Sequence, residues 1–340
     1  MSVELLKTSD ESQWDEYVKK HPESSLFYLI ECRNIISDLF GYKPIYLIAR
    51  EGGRIAGILP LFLIDGFLNS RRLISIPFSV YGGVCADSNQ IEQKLINRAV
   101  EESDIRNVKY LECRHLKKKK NRLTTRITYT TFLLNLNQDI ELIFRGFRKS
   151  LRRQIKKSMD HGLVVNFSSR DISSLYKFYS KYQRRFGTPV QHYKWYSALF
   201  NHFPENHFIA EVKLENKVIA AFLMRQFNGT VSEIIGNDLP EYRTLNPNLF
   251  LEWNLIQYAC ENNYHTYDFG RSIKTSGTYH FKLGWGAKPC EMHYQYYMRT
   301  SSIPDFSQTN PRRKIFARFW RHLPLEVTNR IGPFIRKRYP

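Results

Sequence analysis

Cysteine is scarce in this chain, and the few that occur stand apart. Cys32, Cys85, Cys113, Cys260 and Cys290 form no Cys-x-x-Cys pair and are odd in number, which argues against a zinc ribbon, a dithiol redox centre and a disulfide framework. There is no nucleophile elbow and no metal-ligand cluster, so neither a covalent acyl-enzyme nor a bound metal is expected. Long apolar runs are missing too. The longest, Ile55 to Ile64, has ten residues, where a bilayer span takes about 20. The opening MSVELLKTSDESQWDEY carries acids where a secretory signal carries positive charge and then an apolar run, so a cytoplasmic protein is expected.

Acidic residues are the other shortage: 32 Asp and Glu face 51 Lys and Arg, for a net charge of +19. The excess is clustered. Residues 114–126 and 145–157 hold seven basic side chains each and no acid, and residues 311–340 hold nine against the single Glu326. Such clusters imply an anionic partner: a phosphorylated substrate, an RNA or an acidic membrane surface. DNA is not expected. A solvated face explains Lys117–Lys120 equally well. Hydrophobic residues at 42% of 340 supply more than one core normally takes, so two domains are expected.

From Ile45 the chain reads as strand, turn and strand: IYLIA, then Glu51-Gly52-Gly53-Arg54, then IAGILPLFLI, the signal of a hairpin. RRLISIPFSVYGGV reads as more strand, Ile91 to Val100 as a helix, and VKYLECR as a strand. The same order recurs later. HFIAEVKL, the turn Glu215-Asn216-Lys217 and VIAAFLMRQF make a second hairpin, followed by strand VSEIIG, helix LFLEWNLIQYAC and strand HTYDFGR. Aligned by element, Arg54-Ile55-Ala56-Gly57 falls on Lys217-Val218-Ile219-Ala220, and Glu112 on Asp268. This is the pattern of a duplicated domain, although chance recurrence of a common α/β order produces it as well.

Between the halves the pattern predicts one helix from about Asp139 to Gly162. Phe147, Leu151, Ile155 and Met159 form its apolar stripe, and Arg148, Lys149, Arg152, Arg153, Lys156 and Lys157 its exterior. Phosphate binding by Arg148, Lys149, Arg152 and Arg153 is the functional reading of that exterior. Asp171 then caps a helix that buries Leu175, Phe178, Tyr179, Tyr182 and Phe186.

The stretch Tyr267-Asp268-Phe269-Gly270-Arg271-Ser272, then Ser276-Gly277-Thr278-Tyr279-His280-Phe281-Lys282 and Trp285-Gly286, resembles the FemAB-related proteins found with exosortase and exopolysaccharide gene clusters. The Arg-rich helix, the segment FGTPV from Phe186, the Asn246-Pro247-Asn248 helix entry and the tail FWRHLPLEVTNRIGP from Phe319 are similar as well. The likeness spans nearly the whole chain, and its specific motifs lie in the second half. It implies an α/β fold of two tandem GNAT (acyl-CoA N-acyltransferase-like) domains with mixed central sheets, at 1–138 and 139–300. A basic helical tail follows at 301–340, and the second domain carries the acyl-transfer machinery. The Gln/Arg-x-x-Gly-x-Gly/Ala loop that cradles the pyrophosphate of acyl-CoA in this superfamily is absent, as is the coiled-coil arm with which some Fem enzymes grip tRNA. The donor is therefore either acyl-CoA or aminoacyl-tRNA, with no tightly bound cofactor.

Transfer of an acyl group to an amine needs the amine deprotonated, the carbonyl polarised and the leaving group held. Asp268, at a strand end where Gly270 lets the backbone turn, is placed to orient or deprotonate the amine, or else to pair with Arg271. Arg271 and Lys282 suit a developing oxyanion or a phosphate. Tyr279 can protonate a leaving group, though packing is its more ordinary role. Gly270, Ser272, Gly277, Asn246, Asn248 and Trp285 complete the expected site, and Tyr81-Gly82-Gly83 could admit an acceptor against backbone in the first domain. The central expectation is spatial: Asp268, Arg271 and Lys282 converge on one cleft.

The tail from Arg312 to Lys337 sets Ile315, Phe316, Phe319, Trp320 and Leu323 among basic residues at helical spacing, a pattern that either lies on an anionic bilayer or docks on the protein itself. Membrane contact would place the protein at the inner face of the cytoplasmic membrane. The leading functional reading is an N-acyl- or aminoacyltransferase acting on an amine of a peptidoglycan or exopolysaccharide precursor, small or lipid-linked. The alternatives are an acyl-CoA-dependent amino-sugar N-acetyltransferase and an inactive adaptor that binds RNA or membrane.

Overall fold

The computed structural model describes residues 2–66, 70–137, 139–299 and 311–339. The first ten residues of the expected tail, 301–310, and the Arg312 side chain lie outside the described residues. In chain order the first half contributes β1 (Ser2–Leu5), α1 (Glu11–Lys20), α2 (Ile30–Phe40), β2 (Lys43–Glu51), β3 (Arg54–Ile64), β4 (Arg72–Ser75), β5 (Cys85–Ala86), α3 (Asn89–Ile105), β6 (Tyr110–His115) and β7 (Thr124–Arg126). Next come β8 (Thr130–Asn135), α4 (Ile140–Gly146), α5 (Lys149–Met159), β9 (Leu163–Ser169), α6 (Ile172–Arg185), α7 (Tyr193–His202), β10 (His207–Leu214), β11 (Lys217–Phe227) and β12 (Thr230–Asp238). The chain continues with α8 (Pro247–Glu261), β13 (Thr266–Asp268), α9 (Gly277–Leu283), β14 (Lys288–Glu291), β15 (His293–Met298), α10 (Pro311–His322) and α11 (Leu325–Arg336).

These elements form two mixed sheets. The first runs β1-β2-β3-β4-β6-β15-β7, with β5 also on β3; the second runs β14-β8-β13-β12-β11-β10-β9. Contacts divide the chain accordingly into Met1–Tyr129 with Glu291–Ser307 and Lys337–Pro340, and Thr130–Cys290 with Gln308–Arg336. The division departs from a boundary at 138/139 for a pairing reason. β8 lies against β13 and so belongs to the second sheet, while β15 returns to the first and sits between β6 and β7.

Local chemistry accounts for the hairpins. Gly52 and Gly53 take φ of 58° and 81° in a two-residue loop between paired Glu51 and Arg54, the left-handed turn that suits strand twist. In the second hairpin the loop is Glu215-Asn216, and Lys217 already pairs with Leu214 as the first residue of β11. The duplication extends to register. β4 and β6 are parallel over three pairs ending at Ile74 with Glu112, and β12 and β13 over three pairs ending at Ser232 with Asp268. Glu112 and Asp268 thus hold equivalent places.

Three local readings change. Positive φ at Ile76 and Phe78 ends β4 early, so Tyr81-Gly82-Gly83 is not strand. The helix expected from Asp139 to Gly162 is two helices: Phe147 and Arg148 are extended, and the Arg148 amide donates to Gly284 O at 2.8 Å. Finally, Gly277 opens helix α9 instead of making a turn, because the Ser276 hydroxyl caps the helix by accepting from the Tyr279 amide at 3.2 Å.

Candidate active site

The second sheet forks. β12 runs on to Asp238, but β13 ends at Asp268, and their parallel pairing stops at Ser232. Just past the last pair, β12 carries a bulge: Met224 opposes Glu233 and Leu223 opposes Ile235, leaving Ile234 extra. Alternation of side chains then sorts the faces. Asp268, Ser232, Thr131 and Leu133 point to one side; Tyr267, Val231, Phe132 and Leu134 to the other.

Lys282 comes to the Tyr267 side. It leaves helix α9 so that its ammonium donates to Gly270 O at 3.0 Å and Arg271 O at 3.3 Å, 6.0 Å from the Phe132 ring centre. Burial lowers its pKa, opposed by the carboxylates of Glu233, Asp268 and Glu252. No carboxylate among the described residues lies within ion-pair distance of it. With two of three N–H donors on carbonyls, one remains for an incoming group.

The acids that face it come from β12 and α8. Glu252 is buried, accepts from the Tyr267 hydroxyl at 2.6 Å, and is pushed up to about 8 by burial and by the neighbouring Glu233. Glu233, half-buried at the bulge, is also raised by burial, with Lys282 pulling the other way. Neither acid was expected from the sequence. The available signal was a lone carboxyl inside an apolar element, Glu252 in LFLEWNLI and Glu233 in VSEIIG, since a buried acid needs a partner.

Asp268 and Arg271 both lie near Lys282, neither as an ion pair with it. Asp268 accepts from Thr131 Oγ1 at 2.7 Å and from the Gly270 amide at 2.9 Å, so it fastens the turn on the opposite face and reaches Lys282 as a charge without an ion pair. Arg271 meets Lys282 through its backbone carbonyl. Gly270 has φ of 72°, which turns its own carbonyl into the site. Ser272 exchanges backbone hydrogen bonds with Thr130, both below 3 Å, and is buried. Tyr279 packs edge-on against Phe132, centroids 4.9 Å apart, and Trp285 is fully buried against Phe147 and Phe269. Trp285 also lines a 430 Å³ cavity with Leu133, Ile143, Lys288 and Cys290.

At the start of α8, Asn246 is left-handed with φ of 54°, Pro247 takes the first helical position, and Asn248 Oδ1 is buried without a partner. Arg243 pairs with Asp238 at 2.9 Å beside it. Pro247 brings no N–H, so this end is a poor cradle for a pyrophosphate. On α5, Lys149 and Arg153 are exposed, with Arg148 exposed just ahead of the helix. The Arg152 Nε is buried and unpartnered, and none of the four has a carboxylate partner among the described residues. In the first unit Gly82 donates to Arg114 O at 2.9 Å, and a side chain at Gly83 would strike the His115 ring. Close packing therefore accounts for these glycines, and Tyr81 lies half-buried against the Tyr110, Tyr294 and Tyr296 cluster.

A family profile for the acetyltransferase (GNAT) domain matches residues 145–283. Among solved structures, FemX aligns over 88% of this chain and 98% of its own, with 14% identity and a TM-score of 0.68. The fold is that of a FemAB-like, tandem GNAT protein. L-PGS from Bacillus licheniformis is similar in fold, at 11% identity, 94% and 98% coverage and a TM-score of 0.55. A tandem GNAT protein from the clavulanic acid biosynthesis pathway aligns at 10% identity, 89% and 100% coverage and a TM-score of 0.52. No curated protein sequence matches the chain. Among the described residues, no helix is long and apolar enough to cross a membrane.

Proposed function

We propose that the second unit transfers an acyl or aminoacyl group to an amine, at the fork between β12 and β13. The observation that carries this reading is Lys282 held beside Glu233 and Glu252 with no ion pair closed. In the proposed reaction the acceptor amine attacks the acyl carbonyl carbon, forming the C–N bond. The carbonyl oxygen takes up negative charge against the remaining Lys282 N–H. Collapse expels the donor's ester oxygen or thioester sulfur, and the amine proton passes to Glu233, the more accessible acid, which hands it on to the departing atom. Glu252, protonated near neutrality and bonded by Tyr267, keeps the site from holding two full negative charges.

The proline-led start of α8 and the unpaired basic face of α5 support aminoacyl-tRNA over acyl-CoA as the donor. Resemblance to exopolysaccharide-associated FemAB relatives supports a cell-envelope precursor as the acceptor. The test is to supply labelled aminoacyl-tRNA and labelled acetyl-CoA separately, with an amine-bearing peptidoglycan precursor. Label is expected to move from the tRNA, with Lys282→Met reducing the rate by about 10²-fold or more and Glu233→Gln reducing it while donor binding persists. No transfer from either donor, or unchanged rates in both variants, refutes the reading.

A further inference from the structure

The tail docks and still leaves an apolar surface outward. On α10 the inner side carries Ala317, which abuts Gly187, and Trp320, only 2% exposed; the Leu323 carbonyl accepts from Arg184 at 3.0 Å. On α11 the inner side is Thr328 and Gly332, the latter against Val190. Helical spacing puts Ile315 and Phe319 opposite Ala317 and Trp320, and Phe334 opposite Thr328 and Gly332, with Val327 and Ile331 on the flanks between. Burial agrees: Phe319 is 73% exposed, Phe334 71% and Ile315 63%. An apolar stripe that faces water on a helix already docked by its other side has no role in the fold. Phe186, beside the glycine that receives Ala317, is exposed as well.

Cations surround the stripe. Lys314, Arg318, Arg321 and Arg330 are exposed and have no carboxylate partner among the described residues. Aliphatic Ile315, Val327 and Ile331 offer nothing for bases to stack on, whereas they suit an acyl-chain boundary with cations at headgroup level. We propose that the outer face of α10 and α11 is a docking surface for an anionic lipid bilayer. The surface is independent of the transfer chemistry at the fork.

The experiment is co-sedimentation of the full chain with phosphatidylcholine vesicles, with and without phosphatidylglycerol. Binding is expected only with phosphatidylglycerol and falls as salt rises. The double variant Phe319→Ser, Phe334→Ser should weaken it at least tenfold, and Arg318→Gln with Arg321→Gln on the order of tenfold. Ile105→Ser, at a residue 69% exposed on α3, should bind as the unaltered protein does. Thermal unfolding of each variant shows that it is folded. Equal binding by the phenylalanine and arginine variants and the parent overturns the proposal. So does a monomer–dimer shift governed by Phe319 and Phe334 without vesicle binding, or binding to an RNA oligonucleotide that vesicles cannot compete away.

Discussion

Glu252 sits between an aromatic hydroxyl and a second acid, in a place where water cannot share its charge. The folded protein holds a proton there up to about 8, whereas an unfolded chain with the ordinary glutamate value of 4.5 has released it. Because the folded state then binds more protons, stability falls as pH rises between those two values. Glu252→Gln removes that dependence and keeps an oxygen for Tyr267. The variant is expected to gain at least about 1 kcal/mol over the parent at pH 8 relative to pH 5, read by denaturant unfolding at the two pH values. Asp268 has donors for neighbours. The Thr131 hydroxyl and the Gly270 amide both donate to it, and the turn they hold aims the Gly270 carbonyl at Lys282.

Helix α9 carries Lys282, and its first turn depends on the Ser276 cap. Ser276→Ala is expected to cost about 1 kcal/mol of stability and to slow transfer. Ser88→Ala, which uncaps α3 in the first unit, should cost a similar amount and leave the rate unchanged; paired melting and turnover measurements separate the two. Elements of this kind differ in how readily the chain discloses them. The Gly52-Gly53 hairpin was legible because its signal is local. The break between α4 and α5 was not, since the Phe147, Leu151, Ile155 stripe keeps helical period across it and the bond that opens it comes from Gly284, far along the chain. Lys282 was singled out in the sequence through its motif. Glu233 and Glu252 were not, because each is a solitary acid whose meaning comes from a strand fork and a helix that meet only on folding. Asp268 was placed at the strand end it occupies, but the side of the sheet to which Lys282 comes was not legible, because helix α9 meets that strand only on folding.

Across the chain the units are not two consecutive lengths of sequence. β15 supplies the strand between β6 and β7, pairing His293 with His115 through Met298 with Tyr110. A fragment of residues 2–129 therefore lacks a central strand and exposes the edge of β6. It is expected to show poor amide dispersion by NMR and to aggregate, with order improving when a peptide of residues 291–299 is added. A fragment that folds alone and ignores the peptide would contradict this. The same strand sets a timetable for synthesis. Residues 130–290, which complete the second sheet, leave the ribosome before the segment that closes the first, so the earliest-made half of the protein waits longest with a gap in its hydrogen-bond ladder. Chaperone dependence and sensitivity to premature termination should consequently concentrate in the amino-terminal half, even though the missing piece is encoded near the other end.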